Sequence, residues 1–322
     1  MHRPAARAIV AALAGATLLL TACAPTSGNS ASGNSDGADG IVEVVASTSV
    51  YGDIVSTIGA DKVRVNSIIT RTSQDPHSYE ATTQDKLAVS KAELVVENGG
   101  GYDSFLHKLV DDTGLDHGSV LNAVELSGLA PEETAGASAE ADGHGHEHPG
   151  FNEHVWYSLP AMARLADAVA AKLGELEPSS AETFRSNAAA FKESLGSLEA
   201  ELAGIKASAG AAPVAVTEPV PLYLLDAAGL ENQTPDDYTA AIEEDTDVPP
   251  AALKATTDLM GSGSIRLLAY NQQTEGPQTL AVKDAAAAAG VPVVNFSETL
   301  PEGKSYLQWM TDNVDNIGKA LA

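Results

Sequence analysis

A stripe of apolar residues with helical spacing runs through the middle of the chain, from Ser179 to about Ala207. Such a helix, at a rise of about 1.5 Å per residue, is roughly 40 Å long, the width of a small domain. The pattern predicts a rigid helix that joins two lobes, although a helix packed along a single domain gives the same stripe. Its members recur at alternating intervals of three and four, the period of one helix face: Ala181, Phe184, Ala188, Phe191, Leu195, Leu198, Leu202 and Ile205.

The sequence marks both ends of this helix with residues that are typical of helix termini. Pro178 and Ser179 stand at its start, with Glu182 three residues after the serine. This spacing predicts a capping box, in which the serine oxygen and the glutamate carboxylate satisfy backbone N–H groups of the first turn. Gly210 marks the predicted end.

On each side of the long helix, apolar runs alternate with helical patterns. This order predicts α/β lobes, each with a parallel sheet flanked by helices. Three glycines, Gly99 to Gly101, follow the third apolar run. They lack the Gly-Lys-Ser/Thr ending of a phosphate loop, so a plain turn is favoured. This turn leads into a predicted helix that starts at Asp103 and continues through 105–110. The predicted strands are 41–46, 63–69, 94–96, 213–217, 265–270 and 291–295, and the other predicted helices are 50–58, 83–89 with Thr83 as cap, 222–228, 277–289 and 305–321.

The length of 322 residues is sufficient for two cores, and 44% hydrophobic residues are typical of a globular protein. We place the first lobe at 41–157, a helical connection at 158–209 and the second lobe at 210–322. The formal charge of -26 argues against binding to nucleic acid backbones and favours solubility and the accumulation of cations near the surface. We also expect a monomer.

The N-terminal residues have the pattern of an export signal. Residues 1–22 combine Arg3 and Arg7 with an apolar run, which predicts a signal peptide. The segment Leu20-Thr21-Ala22-Cys23 resembles the bacterial lipobox, and Cys23 is the only cysteine. We therefore expect lipidation of Cys23, a flexible tether over 23–40, and a location on the extracytoplasmic face of the cell membrane.

Candidate metal ligands follow several of the predicted elements. Ligands gather at the carboxyl ends of strands in open parallel sheets, so these segments are the places to search. The candidates His77, His154, Glu218 and Glu298 lie in Asp75–Glu80, Asn152–Trp156, Thr217–Pro219 and Ser297–Pro301. Two imidazoles and two carboxylates suit Zn2+ or Mn2+ better than copper(I) or calcium. A lone histidine is more often structural or solvated, and sequence distance does not show that the four converge.

The run Asp75-Pro76-His77-Ser78-Tyr79-Glu80 resembles the first ligand motif of the zinc/manganese substrate-binding proteins of ABC transporters. The resemblance extends from Cys23 to the C-terminus. It implies two lobes joined by one long helix, a metal as cargo, and a partner permease with its ATPase. It also implies that His77 and His154 are the first two ligands.

The resemblance assigns the other two ligands less directly. Counting back from Tyr223-Leu224 places Glu218 where many zinc-binding members have histidine and manganese-binding members commonly have glutamate. The family's last ligand is an aspartate near the final strand; here the matching segment offers Glu298, with Asn271 as an auxiliary group.

A short histidine-rich segment runs from Asp142 to His148. Zinc-binding members often carry such a loop, and His144, His146 and His148 could capture a metal and pass it to His154; the alternative is an ordinary polar loop. Because this segment is typical of zinc binders, and because zinc usually outcompetes manganese for the same ligands, we expect Zn2+ as cargo and Mn2+ as the alternative.

The sequence thus predicts a metal-binding lipoprotein that catalyses no reaction. An exported zinc metallohydrolase is the alternative enzyme class, but no His-Glu-x-x-His helix is present to support it. A metal-binding surface adhesin would have the same tether and charge, and the sequence does not separate it from a transport protein.

Overall fold

Two four-stranded parallel sheets, each flanked by helices, form the framework of the part of the chain that the structure describes, residues 40–130 and 151–322 of a computed structural model. The first lobe contains β1 (Val42–Thr48), α1 (Ser49–Gly59), β2 (Val63–Ile69), α2 (Thr83–Val89), β3 (Leu94–Glu97), α3 (Ser104–Thr113), β4 (Val120–Asn122) and α4 (Ala123–Ser127). The two helices between the sheets are α5 (Leu159–Leu176) and α6 (Ala181–Ala209). The second lobe contains β5 (Pro213–Val216), α7 (Leu222–Ala227), β6 (Glu231–Asn232), α8 (Asp236–Glu243), α9 (Pro250–Met260), β7 (Leu268–Asn271), α10 (Pro277–Ala289), β8 (Val293–Phe296) and α11 (Tyr306–Leu321).

The sheet of the first lobe has the strand order β2-β1-β3-β4, and the sheet of the second lobe has the order β6-β5-β7-β8. β1 and β3 are central strands and are buried nearly throughout, as strands with helices on both faces must be. β2, at an edge, alternates in burial over its first residues. All pairings are parallel, so the carboxyl ends of the strands share one edge in each sheet.

Helix α6 confirms the predicted connection. Its 29 residues bury one stripe, Phe184, Ala188, Phe191, Leu195, Leu198 and Leu202, while the outer members of the predicted stripe, Ala181 and Ile205, are half-buried. The helix packs on α5 along its length, on α1 of the first lobe, and on α7 and α11 of the second lobe. The stripe belongs to one apolar cluster that continues into both lobes. A helix that packs on helices of both lobes in this way joins the lobes rigidly.

The start of α6 corrects one prediction. Residues Pro178–Ser180 form a 3-10 turn, and the helix begins at Ala181, after Ser180. The Ser179 hydroxyl donates to Glu177, and the Glu182 carboxylate accepts from Arg185 at 2.8 Å, so the predicted capping box does not form. The tight turn that begins at Pro178 moves Ser179 away from the capping position.

Other boundaries differ by a few residues. Thr82, not Thr83, caps α2 in a capping box with Asp85. The strand predicted at 265–270 begins later, as β7 at Leu268. The structure adds strands β4 and β6, which extend each sheet from the three predicted strands to four.

Within the two described ranges, no helix combines the length and apolarity needed to cross a membrane. Cys23 and the expected signal peptide (1–22) fall before these ranges, as does nearly all of the tether (23–40).

Candidate metal centre

His77 lies in the loop that follows β2, at the carboxyl edge of the first sheet. Asp75 shapes this loop, because its carboxylate accepts the His77 backbone N–H at 2.9 Å and the Ser78 hydroxyl at 2.7 Å. The His77 side chain remains about one-third exposed, at 34%. Its Nε2 atom lies 3.7 Å from Glu153 Oε1. The motif Asp75–Glu80 therefore presents an accessible imidazole beside a carboxylate.

His154 stands just before α5 and is buried, with 1% of its surface exposed. Asn152 fixes its ring: the amide oxygen accepts the His154 backbone N–H at 3.1 Å and lies 2.7 Å from Nδ1. An oxygen at this distance needs a proton on Nδ1, which leaves the Nε2 lone pair for a metal. Burial, and then His77, hold the pKa of His154 well below its usual range, so the ring is in the neutral form that ligates metals.

The two histidines and Glu153 form a group whose ligand atoms all lie within 4.8 Å of one another. In the parts of the chain that the structure describes, no other three His, Cys, Asp or Glu residues meet this condition. Two of the predicted ligands thus converge from sites far apart in sequence, and Glu153, which sequence reasoning did not select, joins them.

Glu218 and Glu298 follow β5 and β8 at the carboxyl edge of the second sheet, and both are buried. Asn271, the last residue of β7, joins them: its Nδ2 donates to Glu218 Oε2 and, at 2.8 Å, to Glu298 Oε1. Thr274 donates a further hydrogen bond of 2.6 Å to Glu218. The predicted auxiliary residue therefore lies between the two predicted carboxylate ligands.

The electrostatic state of these carboxylates reflects their burial. Burial, followed by repulsion from Glu298, raises the pKa of Glu218 to about 7. Burial also raises the pKa of Glu298, against the hydrogen bonds from Asn271 and Tyr102 that lower it. Both groups therefore bind protons more readily than a solvated glutamate.

Tyr102 connects the histidine group with the carboxylate pair. Its ring packs edge-on against His77 at 5.0 Å and against His154 at 5.8 Å, measured between ring centroids. Its hydroxyl donates to Glu298 Oε2 at 3.1 Å. Contacts through Tyr102, Glu298 and Asn271 thus link all four predicted ligands near the carboxyl edges of the two sheets, a region called the cleft below. The ligand atoms within 4.8 Å of one another are those of the two histidines and Glu153 and do not include Glu218 or Glu298.

The glycine run places Tyr102 there. Gly99, Gly100 and Gly101 all have positive φ, and the backbone N–H of Gly99 donates to Asp103 at 2.9 Å. A side chain on Gly99 would meet the Asn122 amide at 2.3 Å. The run is the turn that the sequence predicts; its positive φ angles favour glycine at all three positions, and Gly99 also lacks space for a side chain.

Glu243, at the end of α8, is a further carboxylate that sequence reasoning missed. Its Oε1 atom lies 3.7 Å from His154 Nδ1, is buried, and has no hydrogen-bond partner among the described residues. Burial and the repulsion of neighbouring glutamates, Glu153 first among them, raise the pKa of Glu243 to about 9. Its sequence context, Glu243-Glu244-Asp245, has the pattern of a solvated acidic turn and gives no signal of this position.

Asn152 was also missed, although it makes two hydrogen bonds between the histidine side of the cleft and the second lobe. Its Nδ2 donates to the Pro219 carbonyl at 3.0 Å, and its own carbonyl accepts from the Tyr223 hydroxyl at 2.6 Å. The auxiliary histidines predicted at His144, His146 and His148 lie outside the described residues.

Comparison with known proteins gives the family. Residues 44–320 match the family described as the periplasmic zinc-uptake complex component A. The chain is 25% identical over 305 residues to the manganese ABC transporter substrate-binding lipoprotein scaA of Streptococcus gordonii, covering 90% of this chain and 92% of that protein.

Solved structures share the fold. The periplasmic zinc-binding protein TroA of Treponema pallidum matches with a TM-score of 0.68 and 21% identity, over 88% of this chain and 100% of that one. The substrate-binding protein FpvC of Pseudomonas aeruginosa in complex with Mn2+ matches with a TM-score of 0.68 and 22% identity, over 87% of this chain and 98% of that one. Because the match covers nearly the whole described chain, the predicted resemblance is confirmed: the protein belongs to the zinc-uptake complex component A family of metal ABC transporter substrate-binding proteins, and it is not an enzyme.

Proposed function

We propose that this protein captures a divalent transition metal in the cleft between its lobes, with His77, His154, Glu218 and Glu298 as ligands, and delivers it to a membrane permease. The observation that carries the proposal is the convergence of a neutral, oriented imidazole with two buried carboxylates around Tyr102. Zn2+ is the proposed cargo and Mn2+ the alternative.

The charge of the cleft supports a cation as substrate. Among the described residues, no lysine or arginine forms an ion pair with Glu218, Glu243 or Glu298. Buried carboxylates without a positive partner are costly, and burial accordingly raises the pKa of Glu218 to about 7 and that of Glu243 to about 9, which favours proton binding in the absence of a cation. A divalent ion would supply the missing positive charge and displace those protons.

The ligand types narrow the class of metal. Two nitrogens with two carboxylate oxygens satisfy tetrahedral zinc, and the affinity order of divalent metals favours zinc over manganese. Glu153 beside His77 and Glu243 beside His154 provide further oxygen atoms close to the histidines. If these oxygens also bind, the higher coordination number favours manganese, so the metal preference depends on how many carboxylates engage.

Family membership supports a permease with its ATPase as partner, and the relatives named as lipoproteins support anchoring through Cys23 on the extracytoplasmic face of the cell membrane. The protein would act as a monomer, since both halves of the site come from one chain. A role as a surface adhesin, the alternative that the sequence leaves open, is not supported by any contact among the described residues.

Competition titrations of the metal-free protein with Zn2+ and Mn2+ test the proposal. We expect one tight site that binds both metals, zinc more strongly. Glu218→His replaces an oxygen donor by a nitrogen donor and should shift the ratio of affinities further toward zinc, by tenfold or more if one ligand contributes on the order of 1.4 kcal/mol. Glu231→His, which alters an exposed glutamate on β6, is the matched control.

Two outcomes would count against the proposal. Absence of a tight site for either metal would remove the function. A ratio of affinities that is the same in Glu218→His and Glu231→His would mean that Glu218 does not touch the metal.

A further inference from the structure

A second group of potential metal ligands lies on the first lobe, apart from the cleft. His107 and Asp111 are one turn apart on α3, His117 opens the following 3-10 turn, and Glu97 ends β3. We propose that these four residues form an auxiliary site for a divalent transition metal of the zinc class. The proposal does not depend on the assignment of the cleft, because none of the four shares a described hydrogen bond, ion pair or ring contact with His77, His154, Glu218 or Glu298.

The two imidazoles have the separation that a shared ion requires. Their ring centroids are 5.7 Å apart, with the planes inclined at 45°. Two histidines on one tetrahedral zinc, with nitrogen–metal distances of about 2.0–2.1 Å, place their ring centres roughly 5 to 6 Å apart. The ligand atoms of this group are not all within 4.8 Å of one another as the cleft group's are, so both rings must rotate about their side-chain bonds to bind the same ion.

Each imidazole also has a carboxylate in place. His107 Nδ1 lies 3.6 Å from Glu97 Oε1, and His117 Nε2 lies 3.2 Å from Asp111 Oδ1. Glu97 can thus orient His107 in the manner of a carboxylate–histidine–metal arrangement, which leaves Nε2 of His107 for the ion. Asp111 lies four residues after His107 on the same face of α3, and its carboxylate supplies an oxygen ligand beside His117. Three protein ligands and a water molecule complete a zinc site.

Glu97 provides an independent reason for a positive charge here. It is 3% exposed, and its Oε1 accepts from Asn122 Nδ2 at 2.9 Å, but the buried Oε2 atom has no hydrogen-bond partner among the described residues. No lysine or arginine in the described ranges forms an ion pair with it; the cationic partner that the structure provides is His107. A metal ion bound to His107 would place a positive charge near the Glu97 carboxylate at any pH at which the metal is bound. This charge would offset the cost of burying the Glu97 carboxylate.

The solvent exposure of the ligands determines the affinity expected at the auxiliary site. The side chains of His117 and Asp111 are 62% and 55% exposed, whereas His154 in the cleft is almost fully buried. Water competes for the ion at the auxiliary site, so binding there is weaker and exchange is faster than in the cleft. The expected result is a second zinc equivalent with lower affinity.

Calorimetric titration with Zn2+ alone tests this inference in the full chain, in a background where His144, His146 and His148 are replaced by alanine so that they add no binding. We expect two equivalents in this background. His107→Ala with His117→Ala should remove the weaker equivalent and change the tighter affinity by less than twofold. Asp111→Asn should weaken the second site at least tenfold.

Asp112→Asn is the matched control, because Asp112 is the next residue on the helix and pairs with Lys86 at 2.8 Å instead of with a histidine. It should leave both equivalents unchanged. Imidazole NMR signals of His107 and His117 should shift only on the second equivalent. A second equivalent of unchanged affinity in the double histidine variant would overturn the site, and equal second-site affinities in Asp111→Asn and Asp112→Asn would remove Asp111 from it.

Discussion

Replacing Asn271 by leucine is predicted to weaken metal binding while the protein stays folded. The Asn271 amide donates to both Glu218 and Glu298 in the cleft. Leucine is similar in size but has no donor, so the two carboxylates lose the group that holds them side by side. Glu218 keeps its hydrogen bond from Thr274, and Glu298 keeps the one from Tyr102. We therefore expect the two carboxylates to shift in position while the surrounding structure is retained.

The size of the effect follows from these contacts. A hydrogen bond to a charged group contributes about 1.5–3 kcal/mol. Part of that loss is recovered when the carboxylates bind protons or turn to their remaining donors, so the effect is smaller than the sum of two bonds. Loss of a group that orients metal ligands costs about tenfold to hundredfold in affinity, or about 1.4–2.8 kcal/mol, and we expect a value in this range.

The effect should depend on pH in a defined direction. The hydrogen bond from Asn271 lowers the pKa of both carboxyl groups, against burial, which raises that of Glu218 to about 7. Without the donor both pKa values rise, so more protons must be displaced by the metal at a given pH. The loss of affinity is therefore greatest below about pH 7 and shrinks as the pH rises and the carboxyl groups of both proteins ionise.

Chelator-competition titrations with Zn2+ at about pH 6.5 and about pH 8.5 measure both quantities. Asn232→Leu is the control: Asn232 accepts the N–H of Thr234 at 3.0 Å just as Asn271 accepts that of Gln273 at 3.1 Å, but it contacts neither carboxylate. Equal affinities of the two variants at both pH values would refute the reasoning.

Three further predictions concern the ligands, the histidine-rich segment and the connecting helix. His77→Ala should cost more than the roughly hundredfold upper limit for an orienting residue, with an unchanged circular dichroism spectrum, because the side chain is exposed and opens no core; metal titration showing wild-type affinity would exclude His77 from the site. Deletion of 142–148 should leave the tight site intact and reduce extra zinc binding or slow loading, as measured by stoichiometry and stopped-flow; loss of the tight site would make one of these histidines a ligand. Phe184→Ala, at a fully buried position of α6, should lower the free energy of unfolding by about 3–5 kcal/mol in denaturant titration, against almost no change for exposed Glu193→Ala; a cost below about 1 kcal/mol would contradict the packing of the helix on the core.

The long helix was predictable because its signal is local and repeated. Six of the eight residues in the predicted stripe are fully buried, and each helical period supplies the same evidence again. The cap of that helix was not predictable, because a serine followed three residues later by a glutamate also fits a chain that makes a tight turn before the helix starts. Pro178 favours such a turn, and the choice between the two depends on contacts that the local sequence does not specify.

The strands β4 and β6 were missed for a different reason. They are three and two residues long and only partly buried, so neither presents an apolar run or a clear alternation. Each forms because a longer strand, β3 or β5, offers a free edge beside it. Their pairing is set by the tertiary structure, which sequence patterns of this length do not show.

The same limit applies to the cleft. His77 stands in a distinctive motif, and each of the other three predicted ligands follows a strand or precedes a helix in a recognisable position. Glu243 cannot be singled out among 44 acidic residues, since only the folded chain shows that its carboxylate is buried beside His154. Asn152, adjacent to a predicted ligand, becomes meaningful only when Pro219 of the other lobe is seen to accept its hydrogen bond.

The contacts between the lobes limit how a bound metal can leave. Hydrogen bonds cross from the first lobe or the segment before α5 to the second lobe close to the cleft: Asn152 to Pro219, Tyr223 to Asn152, Tyr157 to Ser297 and Tyr306 to Trp156. Breaking all four would cost about 2–6 kcal/mol at about 0.5–1.5 kcal/mol each. At the same time α6 is packed on helices of both lobes and cannot bend without disturbing the core. A wide hinge opening must overcome both costs, whereas a small tilt that moves the exposed His77 loop breaks few of these contacts, so we expect release to begin at His77.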